Sequence, residues 1–163
     1  MKLNQLKRKT HLQTIAWVLA TWFGSGCAPK APGTVGSLFS LPLIAIGWLS
    51  GVKALTVTIA VLFLIGWWAT NVVLKTQKEQ DPGFVVIDET VGQVLAFVLI
   101  TTTGFAWYYV PIGFALFRFF DIVKLWPASY FDQSVHTAFG VMADDVIAGL
   151  YAALVLYGIS FFI

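Results

Sequence analysis

Phe117-Arg118-Phe119-Phe120-Asp121-Ile122-Val123-Lys124 closes an apolar run that begins near Gly104. Its three charges stand where a membrane helix should be ending. Arg118 and Asp121 are three residues apart, as are Asp121 and Lys124. On a helix, side chains at that spacing are neighbours, so base, acid and base form one charged patch. A charge near the bilayer centre costs roughly 2.5–3.5 kcal/mol on an insertion scale. Such side chains pair with one another, line a wet cavity or take part in chemistry, and the remaining acids of the chain are candidates to join them.

Composition sets the class. The chain has 163 residues, the length of a single domain spanning 1–163. Hydrophobic residues make up 58% and charged residues 11%, against about 25% charged in soluble domains. That leaves too little polar surface for a soluble globule, so an integral membrane protein is expected. The net charge of +2 matters less than its distribution. Lys2, Lys7, Arg8 and Lys9 cluster at the start, and every acid lies between Glu79 and Asp145. Residues 1–11 therefore read as a basic cytoplasmic tail beside anionic lipid. Four charges are too few to favour nucleic acid. Cys27 is the only cysteine, which excludes an internal disulfide and a Cys-rich metal site. A signal peptide is not expected, because residues 12–23 contain Gln13 and Thr14 and lead to no small-residue cleavage site.

The spans follow in order. Residues 12–23 form an apolar run of about 12, short of the ~20 that a span needs, so an interfacial or re-entrant helix is expected. Gly24-Ser25-Gly26-Cys27-Ala28-Pro29-Lys30-Ala31-Pro32-Gly33-Thr34-Val35-Gly36-Ser37 comes next. Its prolines break regular helix, and Gly33 and Gly36 allow close backbone approach. Lys30, Thr34, Ser37 and exposed N–H groups could cradle a phosphate at the start of the following helix; a plain membrane-entry loop is the alternative. Neither a Walker A loop nor a GxGxxG motif is present. Residues 37–50 and 55–74 read as a transmembrane hairpin, 91–103 as a third span and 105–123 as a fourth, with an aromatic turn at 104–109 between them. A last span runs to Ile163. The expected fold is all-α: a polytopic membrane helix bundle with four to five transmembrane helices plus the short N-terminal element.

Two adjacent acid pairs punctuate this pattern. Asp88-Glu89 opens the third span and precedes Gly92 and Gln93 on one face; Asp144-Asp145 opens the last span and precedes Gly149. Helix capping explains a single acid at such a place. If the spans alternate, however, Asp88, Glu89, Asp121, Asp144 and Asp145 converge at one end with Arg118 and Lys124. The two bases cannot balance five acids, so a divalent cation is expected. Carboxylate oxygens suit Mg²⁺, which keeps waters and shares a phosphate ligand. Arg118, Lys124 and Lys30 would hold phosphate oxygens. Asp132 and His136 also interrupt the apolar pattern, and a lone histidine is more often a surface or capping residue than a ligand. Other phosphatase chemistries are absent: Gly33 stands where a Cys-x5-Arg pattern needs arginine, there is no DxDx[T/V] motif, and His11 and His136 do not supply a histidine-based lipid phosphatase. The CDP-alcohol phosphotransferase motif is missing as well.

The surviving combination resembles phosphatidylglycerophosphatase A, a family of bacterial membrane phosphatases. The similarity lies in Gly24-x-Gly26 running into Pro29-Lys30-Ala31-Pro32-Gly33-Thr34-x-Gly36-Ser37, then Asp88-Glu89-x-x-Gly92, Phe117-Arg118-x-Phe120-Asp121-Ile122-x-Lys124 and Asp144-Asp145-x-x-Ala148-Gly149. It departs after Lys124, where the family often has proline and this chain has Leu125. The resemblance implies a Mg²⁺-dependent phosphomonoesterase that converts phosphatidylglycerophosphate to phosphatidylglycerol and phosphate at the cytoplasmic face of the inner membrane. It implies metal ligation by Asp88, Glu89, Asp144 and Asp145, with Asp121, Asp88 and Asp145 catalytic and Asp121 either a further ligand or the general base. Lys30, Gly33, Thr34, Gly36, Ser37, Arg118 and Lys124 would bind phosphate. The competing class is an ion or proton transporter using intramembrane acids; it predicts charges spread through the bilayer depth rather than gathered at span ends.

Overall fold

The computed structural model describes residues 10–76 and 82–163. The basic residues Lys2, Lys7, Arg8 and Lys9, and Lys78, Glu79 and Asp81 of the later loop, lie outside the described residues. The described chain is all-helical. Eight α-helices run in order: α1 (His11–Ala20), α2 (Pro32–Ser40), α3 (Ala45–Ser50), α4 (Val52–Thr76), α5 (Ile87–Leu95), α6 (Tyr109–Val123), α7 (Ala128–Ser134) and α8 (Ala138–Ile159).

α1 starts at a capping box in which Thr10 and Gln13 satisfy each other's backbone N–H groups. Its 10 residues rise about 15 Å, half of the ~30 Å hydrocarbon core. The chain then turns back through Trp22, Phe23 and Gly24, all at positive φ. The short N-terminal element is therefore too short to cross a bilayer and lies against α4.

α2, the 3-10 turn Leu41–Ile44 and α3 make a single apolar path, Pro32–Ser50, long enough to span. Pro42 sits in the 3-10 turn, where the α-helical ladder is interrupted. α4 and α8 are the other two helices of spanning length among the described residues. Val57, Val61, Leu64 and Trp67 of α4 are exposed. A row of that kind would be a liability in water and is what lipid covers.

The third and fourth expected spans take a different form. Residues 91–103 do not continue as one α-helix. α5 ends at Leu95, its ladder tightens through Phe97 N–H donating to Val94 O and Val98 N–H to Leu95 O, and a 3-10 turn, Ile100–Thr102, follows. α6 begins at Tyr109, and its 15 residues rise about 22 Å. The two short helices differ in burial: α6 leaves Phe119, Ile122 and Val123 exposed, whereas α5 is buried nearly throughout and packs against α2, α4, α6 and α8. Its Ile87, Val91 and Val94 join an apolar cluster with α1 and α4, and Ala96, Phe97 and Ile100 just after it join a second with α6 and α8. The aromatic turn lies at the end of α3: Trp48 Nε1–H donates to Gly104 O at 3.1 Å and its ring meets Phe105 edge-on at 5.0 Å.

Glycines set the helix spacing around α5. A methyl at Gly149 would run into the Gly92 carbonyl oxygen, and one at Gly92 would come within 2.5 Å of Asp145 O and Phe117 Cε2. α5 and α8 therefore touch backbone to backbone, as small residues allow. Gly113 of α6 likewise admits the Phe97 ring, whose Cζ would stand 2.5 Å from a methyl at that position.

Candidate active site

Three helix ends and the body of a fourth helix converge beside this contact. Asp88 and Glu89 occupy the first turn of α5, Arg118 and Asp121 the last turns of α6, and Gly33 the first turn of α2. The fourth contribution differs from expectation. α8 starts at Ala138, with Thr137 accepting from Gly140 N–H as its cap, so Asp144-Asp145 lies inside the helix rather than opening it. Capping accounts for none of that pair's burial.

Together these residues line a cavity of about 260 Å³. Its wall carries six carboxylates (Asp88, Glu89, Asp121, Asp132, Asp144, Asp145) and two cations (Arg118, Lys124). Asp88, Asp121, Asp144 and Asp145 are buried. Arg118 Nη1 pairs with Asp121 Oδ2 at 2.7 Å. Lys124 Nζ lies 2.6 Å from both Asp132 Oδ1 and Asp144 Oδ2. Burial opposes the charge on Lys124, but the bonds to Asp132 and Asp144 outweigh it and hold the pKa above its ordinary value. Lys124 itself takes the left-handed conformation, φ 48°, that ends α6. Strain at a non-glycine residue of this kind persists only where the surroundings impose it, and here two ion pairs do so.

Asp88, Glu89 and Asp145 make no ion pair among the described residues. Each can offer an oxygen such that the three atoms lie within 4.8 Å of one another. Glu89 Oε2, Asp144 Oδ1 and Arg118 Nε are buried without a partner. Buried polar atoms are normally satisfied, so these orphans, beside an excess of negative charge, fit a bound cation and an anionic ligand. Asp144, expected as a fourth ligand, has one oxygen on Lys124 and the other unpartnered.

The phosphate-loop residues divide. Gly33 and Ala31 line the cavity, and a methyl at Gly33 would collide with Glu89 Oε1. Ala31 precedes the helix in the left-handed conformation with no side-chain cap, and Pro32 follows it. The first N–H groups of a helix lack intrahelical partners, so Gly33 and Thr34 bring unused backbone donors to this end. Ser37 is buried; its hydroxyl donates to Gly33 O at 2.8 Å and accepts from Arg118 Nη1 at 3.3 Å. Gly36 packs against Val86. Lys30 is exposed and is not part of the cavity wall. Two further wall residues, Asp132 and His136, carry no role that the sequence assigns. Their signal is a polar stretch in an apolar chain, too general to identify a function.

Residues 18–160 match the family model described as Phosphatidylglycerophosphatase A. The chain belongs to the phosphatidylglycerophosphatase A family. It is 39% identical over 159 residues to a Haemophilus influenzae protein named phosphatidylglycerophosphatase A, covering 97% of this chain and 96% of that one. To the Escherichia coli protein of the same name it is 34% identical over 143 residues, covering 88% and 82%. A Bacteroides thetaiotaomicron protein that carries the provisional name phosphatidylinositol-3-phosphatase is 37% identical over 156 residues, covering 93% and 95%. No solved structure matches. The family model takes in all five helices that line the acidic cavity, so the shared region is the site together with the bundle that positions it.

Proposed function

We infer that this protein is a membrane phosphatase that hydrolyses the phosphomonoester of phosphatidylglycerophosphate, releasing phosphatidylglycerol and inorganic phosphate. Family membership supports the reaction. The observation that carries the mechanism is the unpaired trio Asp88, Glu89 and Asp145 beside the Arg118 guanidinium. The whole chain is read as a single phosphatase domain. Its cavity faces the cytoplasm from the inner membrane, on the side of the basic tail.

Asp88, Glu89 and Asp145 would hold the metal, with the free oxygen of Asp144 beside them, and hard oxygen donors of this kind suit Mg²⁺. When bound, the ion supplies charge neutralisation at the phosphoryl oxygens and a lowered pKa for water. The chain's own groups do the rest. Arg118, fixed by Ser37 and Asp121, and the N–H groups that open α2 bind the phosphate oxygens. Asp121 accepts a proton from the attacking water as the new P–O bond forms. The P–O bond to glycerol breaks, and the leaving alkoxide takes up the proton that Asp121 received. Lys124 holds Asp144 in position through their 2.6 Å contact. Gathering of the acids in one cavity at the helix ends favours this reading over a proton path.

The test is phosphate release by purified protein in detergent from phosphatidylglycerophosphate, with Mg²⁺ and with EDTA. Release that requires Mg²⁺ and stops with EDTA is expected. Equal release in EDTA would remove the metal from the mechanism. Phosphatidylinositol 3-phosphate in a parallel arm separates a headgroup preference from general phosphomonoesterase activity.

A further inference from the structure

A second concavity lies further along α8. It is a trough of about 510 Å³, within the range of small-molecule sites. Ile147, Leu150, Tyr151 and Leu154 of α8 line it at helical i, i+3, i+4, i+7 spacing, and Val98 and Leu99 face them. Pro127, three residues after Lys124, completes the lining. Its floor is Ala153, 1% exposed, between Leu150 at 46% and Leu154 at 61%. The outward row of α4 is as apolar, but here a small residue sunk between large ones makes a channel.

We propose that this trough binds one acyl chain of the phospholipid whose phosphate enters the acidic cavity. The inference rests on the phosphatase reading above and adds a substrate determinant to it. Continuity with the site is the first argument. Asp144 stands one helical turn before Ile147 and continues the same row of α8, so one helix holds the acid cluster and the trough. Tyr151 ties the two together, its hydroxyl donating to Trp126 O at 2.8 Å in the loop that carries Lys124. Length is the second argument. Leu154 lies ten residues beyond Asp144, about 15 Å along a helix and half of the ~30 Å hydrocarbon core. A chain about 15 Å long, extended along α8 from a headgroup at the acids, would reach Leu154. Chemistry is the third: the lining offers an acyl chain apolar contact and asks for no hydrogen bond.

Two measurements test this. Ala153→Phe fills the floor. Its kcat/KM on dipalmitoyl phosphatidylglycerophosphate should fall about tenfold, while the dihexanoyl lipid, too short to reach the floor, should change by less than about twofold. Equal loss on both substrates would overturn the proposal. The wild-type protein, held in EDTA, is also irradiated with a phosphatidylglycerophosphate carrying a diazirine in the outer half of one chain. Labelling of the α8 peptide containing Ala153 and Leu154 is expected, well above that from a phosphatidylcholine with the same chain. Equal labelling by the two lipids would mean ordinary bilayer lipid fills the trough and the inference fails. Absence of any hydrolysis by the wild-type protein would instead count against the phosphatase reading, and the labelling ratio still reports on the trough by itself.

Discussion

The two acid pairs look alike in sequence and differ in the fold. Asp88-Glu89 opens α5, where Asp88 Oδ1 accepts from Glu89 N–H at 3.0 Å and the helix dipole favours negative charge. Asp144-Asp145 lies two turns inside α8, whose start is already capped by Thr137. A local electrostatic reason exists for the first pair and not for the second. The second pair must be balanced from other elements. Asp144 finds Lys124 at 2.6 Å, whereas Asp145 makes no ion pair among the described residues and clusters with Asp88 and Glu89. Burial of a carboxylate inside a spanning helix without a cation is expensive, so Asp145 is where the metal reading is most exposed to test.

Asp145→Asn should therefore have the largest effect. Loss of a ligand that contributes about 4 kcal/mol lowers kcat about 10³-fold, and Asp88→Asn should match it if both hold the same ion. Phosphate-release rates at saturating Mg²⁺ check this. Wild-type activity in a correctly folded Asp145→Asn protein would dissolve the contrast between the pairs. Lys124→Met comes next, with a loss of about 10–100-fold, the usual range for a group that orients a ligand. Combining it with Asp144→Asn should cost less than the product of the single losses, because the two act through one contact. Multiplicative losses would mean that Lys124 serves the substrate independently of Asp144. Gly149→Ala tests how the pairs are brought together. A methyl pressed into the Gly92 carbonyl should destabilise the bundle by about 1–3 kcal/mol, read as a lower unfolding temperature in detergent, and should weaken Mg²⁺ affinity by moving Asp145 away from Glu89.

Much of this arrangement is legible from residue type and spacing. The apolar composition indicates the class, the 12-residue run indicates a helix too short to span, and Gly92 and Gly149 mark a close helix contact that the fold places between α5 and α8. The unread parts depend on contacts remote in sequence. Acids at a helix start are a sound local rule, so the pair at 144 reads as an opening; the true cap, Thr137, lies in a polar stretch with no distinct pattern. Ser37 holds Arg118 across 81 residues, and no local signal predicts which hydroxyl will do so. Lys30 fits a phosphate loop by composition, but Ala31 turns the chain so that Gly33, not Lys30, meets the cavity. The third span looks continuous because apolar residues run through 91–103, and hydrophobicity does not distinguish an α-helix from an α-to-3-10 path buried by its neighbours.

Asp132 offers the finest division of the comparison. Lys124 Nζ stands at the same 2.6 Å from Asp132 and from Asp144, yet their side chains are 33% and 8% exposed. Equal geometry does not mean equal energy. Water screens the outer pair, which at that exposure contributes about 0–1 kcal/mol, whereas the inner carboxylate has little water to fall back on. Asp132→Asn should thus lower kcat/KM by less than about fivefold, and added salt should shrink the difference further as it screens the surviving outer charges. Asp144→Asn should cost more and show little salt dependence. If Asp132→Asn is the more damaging of the two, Lys124 is held for the sake of α7 and the cavity rim, and its contact with Asp144 does not serve the reaction.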